Sequence, residues 1–381
     1  KMTLALLSFA GVMQAIGSVC LAILILLAMI TVHEFGHYVA GKIFKFKINE
    51  FAIGFGPALF KHKKKNGELF SVRVFPLGGY CAFEGEEEDG ADPASFNNKK
   101  PWQRIIVLVS GALMNYLLAL LLIVISFSAC GQLLIMSYRV DGSSTTENGI
   151  PLDGYVLEDE DVLLSCEGRD IYLTTDLMSA LSGKKEGDLV AFTLSRKTET
   201  GREVCEVDVK LRADADFENL TDTDTLWRAL GIEYRASEDG GGQYLVASAS
   251  YTGFGFFERI GRSFVYSFRI GGSIFRILGQ LLTGDIGLSA MGGPVTTIKL
   301  TSEIASRSVQ QFLEIAAFIG VNLAVFNLLP IPALDGSKVI FTLIEWVRGK
   351  PVNRKVEAII HLCGLVFLLG FAILVDLLQF I

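Results

Sequence analysis

Long apolar stretches constrain this chain more than any other feature of its sequence. A helix needs ~20 apolar residues to cross a ~30 Å hydrocarbon core. Three stretches meet that length easily, at residues 17–32 (continuing toward residue 40), 105–129 and 358–378. A fourth, residues 312–329, is long enough but contains Asn322 and Asn327. With 51% hydrophobic residues overall, we predict a membrane α-helical protein with about four transmembrane helices.

Basic residues indicate how these spans are oriented. Lysines are dense after the first span, basic residues precede the second, and a third basic group separates the last two. With four spans, all three groups lie on one side, which the positive-inside rule identifies as the cytosol. Residues 131 to about 250 then lie outside the cytosol. The formal net charge of −7 argues against nucleic acid as a partner.

Two segments between the predicted spans do not have the sequence pattern of transmembrane helices. Residues 46–83 carry alternating apolar positions on both sides of Asn66-Gly67, which is a strong signal for a β-hairpin. The outer segment reads as a small mixed α/β domain, with strands at 156–164, 191–195 and 203–211 and a helix at 174–181. Residues 214–225 are polar and acidic, as in a linker.

Residues 254–282 predict a long amphipathic helix. Arg262, Arg269 and Arg276 recur every seven residues, which keeps them on one helical face. This pattern favours a helix that lies in the membrane interface. A soluble helix with a basic face is the alternative.

The chain contains one motif with specific chemistry, His33-Glu34-Phe35-Gly36-His37 at the end of the first span. Histidines four residues apart lie one turn apart on a helix, so both imidazoles can bind one metal ion. Zinc lowers the pKa of a bound water to ~7, and Glu34 can accept the proton. Ionisable residues inside an apolar span are costly, which indicates a functional site rather than coincidence.

A catalytic zinc site needs a third protein ligand. His62 lies in a lysine-rich loop and His361 is isolated in the last span, so neither is a strong candidate. Asp335 follows two prolines that interrupt an apolar segment, and such irregular backbone is tolerated in a membrane only where protein or water covers it. Spacing alone leaves two readings of Asp335 equally open, a metal ligand or a helix N-cap.

Taken together, H-E-F-G-H and the later Asn322-x4-Asn327-x2-Pro330-x-Pro332-x2-Asp335-Gly336 resemble the site-2 protease family of intramembrane zinc metalloproteases, of the bacterial RseP/RasP type. Further matches are Gly54-Phe55-Gly56-Pro57, Pro76-Leu-Gly-Gly-Tyr80, Ser110-Gly-Ala-Leu-Met-Asn115 and Met291-Gly-Gly-Pro-Val295. The outer domain resembles a circularly permuted bacterial PDZ domain. Departures are a single apparent PDZ-like domain, Ser337-Lys338 after the Asp-Gly pair, and Glu160-Asp161 where the PDZ pattern has Gly-Asp.

The resemblance implies roles for specific residues. His33, His37 and Asp335 would bind Zn²⁺, and Glu34 would be the general base. Asn322, Asn327, Pro330 and Pro332 would line the site and hold unwound substrate. The hairpin, with Gly54, Phe55 and Gly56, would re-enter the membrane and offer a strand edge to the substrate.

The expected organisation has six segments: residues 1–45 with the first span and H-E-x-x-H, 46–100 with the re-entrant hairpin and a cytoplasmic loop, 101–130 with the second span, 131–213 as the PDZ-like extracytoplasmic domain, 214–300 as a linker with interfacial helices, and 301–381 with the third and fourth spans. The resemblance implies a multi-pass protein of a bacterial plasma membrane, with its active site toward the cytoplasm. Its substrate would be a single-pass membrane protein, such as a pre-trimmed anti-sigma factor, in contact with membrane lipid. The alternative functional hypotheses are a zinc transporter or storage protein and a catalytically inactive membrane scaffold.

Overall fold

The computed structural model describes residues 9–86, 92–139, 156–158, 160–217, 222–231, 233–234, 245–284, 287, 292–305 and 308–378. Its helices are α1 (Phe9–Ile43), α2 (Pro101–Ala129), α3 (Thr174–Leu181), α4 (Thr223–Ala229), α5 (Phe256–Thr283), α6 (Pro294–Ala305), α7 (Val309–Leu328), α8 (Asp335–Arg348) and α9 (Arg354–Leu378). Its strands are β1 (Ile48–Lys63), β2 (Leu69–Phe83), β3 (Gln132–Arg139), β4 (Val162–Cys166), β5 (Arg169–Asp170), β6 (Leu189–Thr198), β7 (Gly201–Lys210), β8 (Glu233–Tyr234) and β9 (Leu245–Thr252). The chain divides into two compact units, residues 1–125 with 287–381, and residues 126–286.

The first unit contains the apolar helices that the sequence predicts. Four helical segments of the described chain are long and apolar enough to cross a membrane, namely Ile16–Ile43, Pro101–Ala129, Val309–Leu328 and Arg354–Leu378. Large apolar side chains remain exposed on them, such as Leu24 (58%), Leu121 (54%) and Phe367 (65%). Exposed leucine and phenylalanine along a long helix are stable in contact with lipid, so the four predicted spans are confirmed as apolar helices.

The predicted hairpin is present between α1 and α2. Strands β1 and β2 are antiparallel, and their connection contains Asn66 and Gly67, the latter with a φ of 88°. The pairing is irregular, because Phe51 is aligned both with Cys81 and with Phe70. The hairpin is therefore folded over on itself, and residues 79–83 have pairing partners only in residues 48–53. This leaves the last segment of β2 at an edge of the sheet.

The second unit is built on a seven-stranded sheet with the strand order β7-β6-β4-β3-β9-β8, with β5 paired to β4. Its core contains residues of α3 and of the sheet, including Leu177, Leu181, Phe192 and Leu194, each at most 1% exposed. The predicted helix at 174–181 matches α3, and the predicted strands at 191–195 and 203–211 overlap β6 and β7. The predicted strand at 156–164 begins later, at Val162.

The segment expected to be a linker, within residues 214–300, differs from that expectation. Leu226 (0% exposed) and Trp227 (6%) of α4 belong to the core of the second unit. Strand β9 pairs with β3 along its whole length, from Gln132–Thr252 to Arg139–Leu245. Backbone hydrogen bonds with a distant strand are invisible to a search for local apolar patterns, so the folded unit extends well beyond residue 213.

Helix α5 belongs to the second unit and shows the predicted arginine face. Arg262 is 6% exposed and donates from Nε to Oε1 of Gln132 at 2.7 Å. Arg269 pairs with Asp176 at 3.2 Å, and Arg276 donates to Ser179 at 3.3 Å. The arginine face therefore packs on the unit's own folded core. Apolar residues at helical spacing are exposed elsewhere on α5, among them Phe257 (85%), Phe264 (49%), Phe268 (58%) and Leu282 (88%).

Candidate metal centre

The two histidines of the motif converge in the middle of the first unit. His33 and His37 lie near the end of α1, and each is 7% exposed. Their Nε2 atoms are 3.1 Å apart. The Nδ1 of His37 is 2.8 Å from the carbonyl oxygen of Val107, an acceptor, so Nδ1 carries the proton. The Nε2 lone pair of His37 is consequently free to bind a cation.

Asp335 completes a group of three potential ligands. It is the first residue of α8, and the residue at the N-cap position is Leu334. Its Oδ2 lies 2.9 Å from Nε2 of His33 and 3.3 Å from Nε2 of His37. The carboxylate is directed at the imidazoles, which supports the interpretation of Asp335 as a metal ligand.

The spacing of these three atoms fits zinc. A tetrahedral zinc ion with bonds of about 2.0–2.1 Å separates its ligand atoms by about 3.3–3.4 Å. The three measured separations are 2.9, 3.1 and 3.3 Å. Two imidazole nitrogens and one carboxylate also form a donor set common in catalytic zinc sites, with a fourth position left for water or substrate. Among the described residues, these three form the one His, Cys, Asp or Glu cluster with metal-ligand spacing.

Glu34 lies between this cluster and the hairpin. The backbone of Cys81 hydrogen-bonds the Glu34 carboxylate. A Cβ atom at Gly79 would lie 3.5 Å from Cγ of Glu34 and 2.8 Å from the Ala52 carbonyl, so β2 runs close against this side chain. Burial raises the pKa of the Cys81 thiol, which favours its protonated form.

Two cavities meet at the site. One of about 420 Å³ is lined by Glu34, His37 and Asp335 together with the end of β2, at Tyr80, Cys81, Ala82 and Phe83. The other, of about 290 Å³, is lined by Ile30, His33, Glu34, Asn115, Leu323, Asn327, Ala333, Leu334 and Asp335. Glu34 and Asp335 line both cavities. A peptide that entered one cavity could therefore continue into the other across the three ligand atoms.

Glycines bring the helices close enough to build the centre. A Cβ atom at Gly111 of α2 would collide with Nε2 of His37 and would lie 2.8 Å from Cε1 of His33. A Cβ atom at Gly36 would lie 2.9 Å from Cα of Gly111. Only glycine at both positions lets α2 pack directly on the histidine pair.

The loop between α7 and α8 positions Asp335. Helix α7 ends at Leu328, and Pro330 and Pro332 follow. Ala333 has a φ of 81°, a left-handed conformation that is uncommon for residues other than glycine. Gly364 of α9 lies against this loop, since a Cβ atom there would be 2.6 Å from the carbonyl oxygen of Pro332.

The residues expected to bind substrate differ in how near they lie to the histidine pair. Asn327 lies 3.5 Å from Nδ1 of His33 and lines the smaller cavity. Asn322 donates instead to the Phe318 carbonyl of its own helix at 2.8 Å. In the hairpin, Gly54 and Gly56 have φ values of 86° and 84°, and the segment that lines the larger cavity is the end of β2.

Two residues near the site, Asn115 and Lys338, have no individual role among the predictions from the sequence. Asn115 was noted only within a stretch that resembles the second span of the family, although a buried amide in an apolar helix is a signal of function. Lys338 was noted only as a departure from the family pattern. It lines the larger cavity and pairs with Glu86 at 2.7 Å, and this carboxylate raises the pKa of Lys338.

Comparison with known proteins agrees with this geometry. The sequence profile described as peptidase family M50 matches residues 21–371. A protein of Clostridium perfringens is 30% identical over 357 residues, which cover 93% of this chain and 96% of the relative. A protein of Nostoc sp. is 30% identical over 375 residues (93% and 94%), and one of Fusobacterium nucleatum is 27% identical over 359 residues (93% and 96%). The names of all three describe them as candidate zinc metalloproteases.

Proposed function

This chain belongs to peptidase family M50 and is a zinc metalloprotease with apolar helices suited to a membrane, and we propose that it hydrolyses peptide bonds within the transmembrane segments of single-pass membrane proteins. The observation that carries the proposal is the convergence of His33, His37 and Asp335 beside Glu34, on helices that are themselves long and apolar enough to span a bilayer. A metal centre in that position is accessible to substrates that are embedded in lipid.

We assign His33, His37 and Asp335 as the ligands that hold the zinc ion. When bound there, zinc would polarise the substrate carbonyl and acidify water. The Nδ1–H of His37, held by the Val107 carbonyl, would keep that imidazole oriented. Asn327, near Nδ1 of His33, is placed to do the same for the second imidazole.

Glu34 is the proposed general base. Its carboxylate accepts a proton from the attacking water and then delivers that proton to the nitrogen of the leaving peptide. The hydrogen bond from the backbone of Cys81 fixes its orientation. Because Glu34 lines both cavities, it lies beside a peptide that crosses from one cavity to the other.

A substrate helix must unwind before it can be cut, since its amides are hidden in i→i−4 hydrogen bonds. The unwound segment would then pair with the edge of β2 at residues 79–83, which have a free side in the sheet and line the larger cavity. Strand addition of this kind replaces the lost helical hydrogen bonds with intermolecular ones. This proposal moves the substrate contact from Gly54, Phe55 and Gly56, which the resemblance implied, to the end of β2. Gly54 and Gly56 have positive φ values and would instead shape the bend of the hairpin.

The orientation and setting follow from the basic clusters of the sequence. We propose a multi-pass protein of a bacterial plasma membrane, with the metal centre toward the cytoplasm and the second unit, a PDZ-like domain, outside. That unit would exclude substrates that retain a large outer domain. Its substrates would then be pre-trimmed single-pass proteins, of which an anti-sigma factor is one kind.

Helix α5 is proposed to lie in the membrane interface. Its arginines are engaged with the folded core of the second unit, while Phe257 and Leu282 are more than four-fifths exposed. An amphipathic helix with an apolar face open along its length is suited to the boundary between headgroups and acyl chains.

The test of the activity is cleavage of a model single-pass protein by purified enzyme in proteoliposomes. Glu34→Gln should keep the zinc stoichiometry of the wild type and lose cleavage, whereas Glu203→Gln on an exposed strand should cleave normally. A chelator should stop the wild type, and added Zn²⁺ should restore it. Full activity of Glu34→Gln would disprove the assigned base.

The same assay separates the rival readings. A zinc transporter would move zinc across the vesicle membrane and leave the protein substrate intact, and a scaffold would do neither. The size filter is tested with the unaltered enzyme on long and pre-trimmed forms of one substrate. Equal cleavage of both forms would rule out the filter.

A further inference from the structure

Asn115 is a buried polar residue whose side-chain amide makes no hydrogen bond to the described residues. It is 0% exposed, and neither Oδ1 nor Nδ2 has a hydrogen-bond partner among the described residues. An unsatisfied amide in a protein interior destabilises the folded state, because it has lost its hydrogen bonds to water without replacing them. Such a cost inside a transmembrane helix indicates a group that binds something when the protein works.

The position of Asn115 shows where that partner must lie. It follows Gly111 by four residues on α2, and Gly111 is the residue that lies directly against His37 and His33. Residues four apart share one face of a helix. Asn115 therefore faces the smaller cavity, which it lines together with His33, Glu34, Leu323, Asn327 and Asp335.

Two helices pack tightly beside the residues that line this cavity. A Cβ atom at Gly320 of α7 would lie 3.0 Å from Cβ of Ala119 and 3.3 Å from the carbonyl oxygen of Asn115. Helices α2 and α7 therefore contact each other next to Asn115. Its volume of about 290 Å³ is several times that of one water molecule, which occupies about 30 Å³ of liquid.

We propose that Asn115 binds the backbone of the unwound substrate beside the scissile bond. A primary amide offers one acceptor and two donors, so it can accept from the N–H and donate to the C=O of a peptide chain at the same time. These are the groups that a transmembrane segment exposes when it unwinds. The inference rests on the proposed function and identifies its substrate contact on the side away from the hairpin.

The two cavities then hold opposite ends of one peptide. The edge of β2 lines the larger cavity, and Asn115 lines the smaller one. Glu34 and Asp335 are common to both. The substrate would be held by a strand edge on one side of the cleaved bond and by a single amide on the other, so that the carbonyl between them lies at the metal centre.

The experiment uses the full chain in proteoliposomes and a synthetic peptide with a leucine-alanine span and a central Gly-Gly pair. A series of these peptides carries one backbone ester each, which removes a single N–H. Wild type should lose about tenfold in kcat/KM at one ester position near the cleaved bond. Asn115→Leu should lose about tenfold with the all-amide peptide and show no further loss at that ester position.

Three readouts decide the assignment. Zinc stoichiometry of Asn115→Leu should match wild type and its thermal unfolding should occur at the same or a higher temperature, because the amide makes no hydrogen bond to the described residues that the substitution would break; Asn115→Ala serves where the leucine variant does not fold. Loss of zinc from Asn115→Leu would overturn the role of Asn115. A loss of kcat/KM at the ester position that is equal in wild type and variant would overturn it too, and this is the result expected if the amide only binds water. If wild type itself shows no zinc-dependent cleavage, the proposed function fails as well.

Discussion

The imidazole of His361 accepts a hydrogen bond at Nδ1 from the backbone N–H of Ala333, across a distance of 3.1 Å. Ala333 is the left-handed residue of the loop that ends in Asp335. A histidine of the last apolar helix thereby holds a strained turn that positions Asp335, the proposed third ligand. A non-glycine residue at positive φ costs energy and persists only where its surroundings impose it.

Replacing this acceptor should loosen the metal centre. We expect His361→Leu to lower zinc affinity by about 10- to 100-fold, the range typical of lost support for a metal ligand. His361→Gln retains an acceptor and should keep more of the affinity. Zinc competition with a chelator measures both, and equal affinity in the leucine variant and wild type would contradict the role of His361.

A methyl group at Gly111 should disrupt zinc binding. The new Cβ would overlap Nε2 of His37 and lie 2.8 Å from Cε1 of His33. We expect Gly111→Ala to fold and insert in membranes but to bind substoichiometric zinc. Gly370→Ala, in α9 with nothing within 4 Å of the added Cβ, is the matched control. Full zinc content in Gly111→Ala would show that α1 and α2 can separate.

The buried pair of Arg104 and Glu345 should contribute strongly to stability. Their side chains are each 6% exposed, and Nη1 lies 2.6 Å from Oε2. Arg354 also pairs with Glu345, with Nη1 2.7 Å from Oε1, so replacing Arg104 removes one of two cationic partners of this buried carboxylate and should cost about 1–3 kcal/mol. Arg104→Met should therefore unfold at much lower denaturant than wild type, while Arg348→Met, at an exposed position, should change stability by less than about 0.5 kcal/mol. Similar unfolding of both variants would contradict this prediction.

The stability of the hairpin turn should depend on the ionisation of Glu68 and should persist in mild acid. Burial would raise the pKa of Glu68, but hydrogen bonds from Lys42 and Lys64 lower it to about 2. A folded pKa below the ordinary 4.5 stabilises the folded state above pH 4.5, and this stabilisation is lost as the pH falls toward 2. Amide exchange in residues 64–69 should stay slow at pH 5 and rise between pH 4 and pH 2. Glu68→Gln should exchange faster at pH 7 and lose this pH dependence; an unchanged profile would remove Glu68 as its cause.

Two arginines of α5, Arg262 and Arg276, should differ in their contribution to stability. The Arg262 guanidinium lies 4.3 Å from the ring of Phe254 and 4.6 Å from that of Tyr172, besides its bond to Gln132. Arg262→Met leaves Gln132 unpaired and should destabilise the second unit by about 2–3 kcal/mol. Arg276→Met breaks only an exposed contact of 3.3 Å and should be nearly neutral. Proteolysis of the second unit under mild denaturant compares the two, and equal resistance would argue against the anchoring role of Arg262.

Much of this architecture could be predicted because it is encoded locally. Span length, the His33–His37 spacing and the Asn66-Gly67 turn each express a period or a short motif. The helix at 174–181 could also be predicted from its local sequence. Asp335 was different, since its position in sequence allowed a ligand or a cap, and only its contact with the imidazoles distinguishes them.

The parts that escaped prediction depend on pairing across long distances. Strand β9 has a short, polar-rich sequence and is defined by hydrogen bonds to β3, more than a hundred residues earlier. His361 has a partner in the backbone N–H of Ala333, which no side-chain pattern reveals. The amide of Asn115 has no hydrogen-bond partner in the part of the chain that the structure describes, and a sequence does not show which buried amides are satisfied.

The two halves of the metal centre are 302 residues apart in the chain. A ribosome that adds 5–20 residues per second needs roughly 15–60 s to proceed from His33 to Asp335. During that interval the nascent chain already holds both imidazoles and Glu34 but has no carboxylate to join them. The proposed centre would thus lack its third ligand during this interval, and hydrolytic activity would arise only once α8 has been synthesised and has joined the two imidazoles.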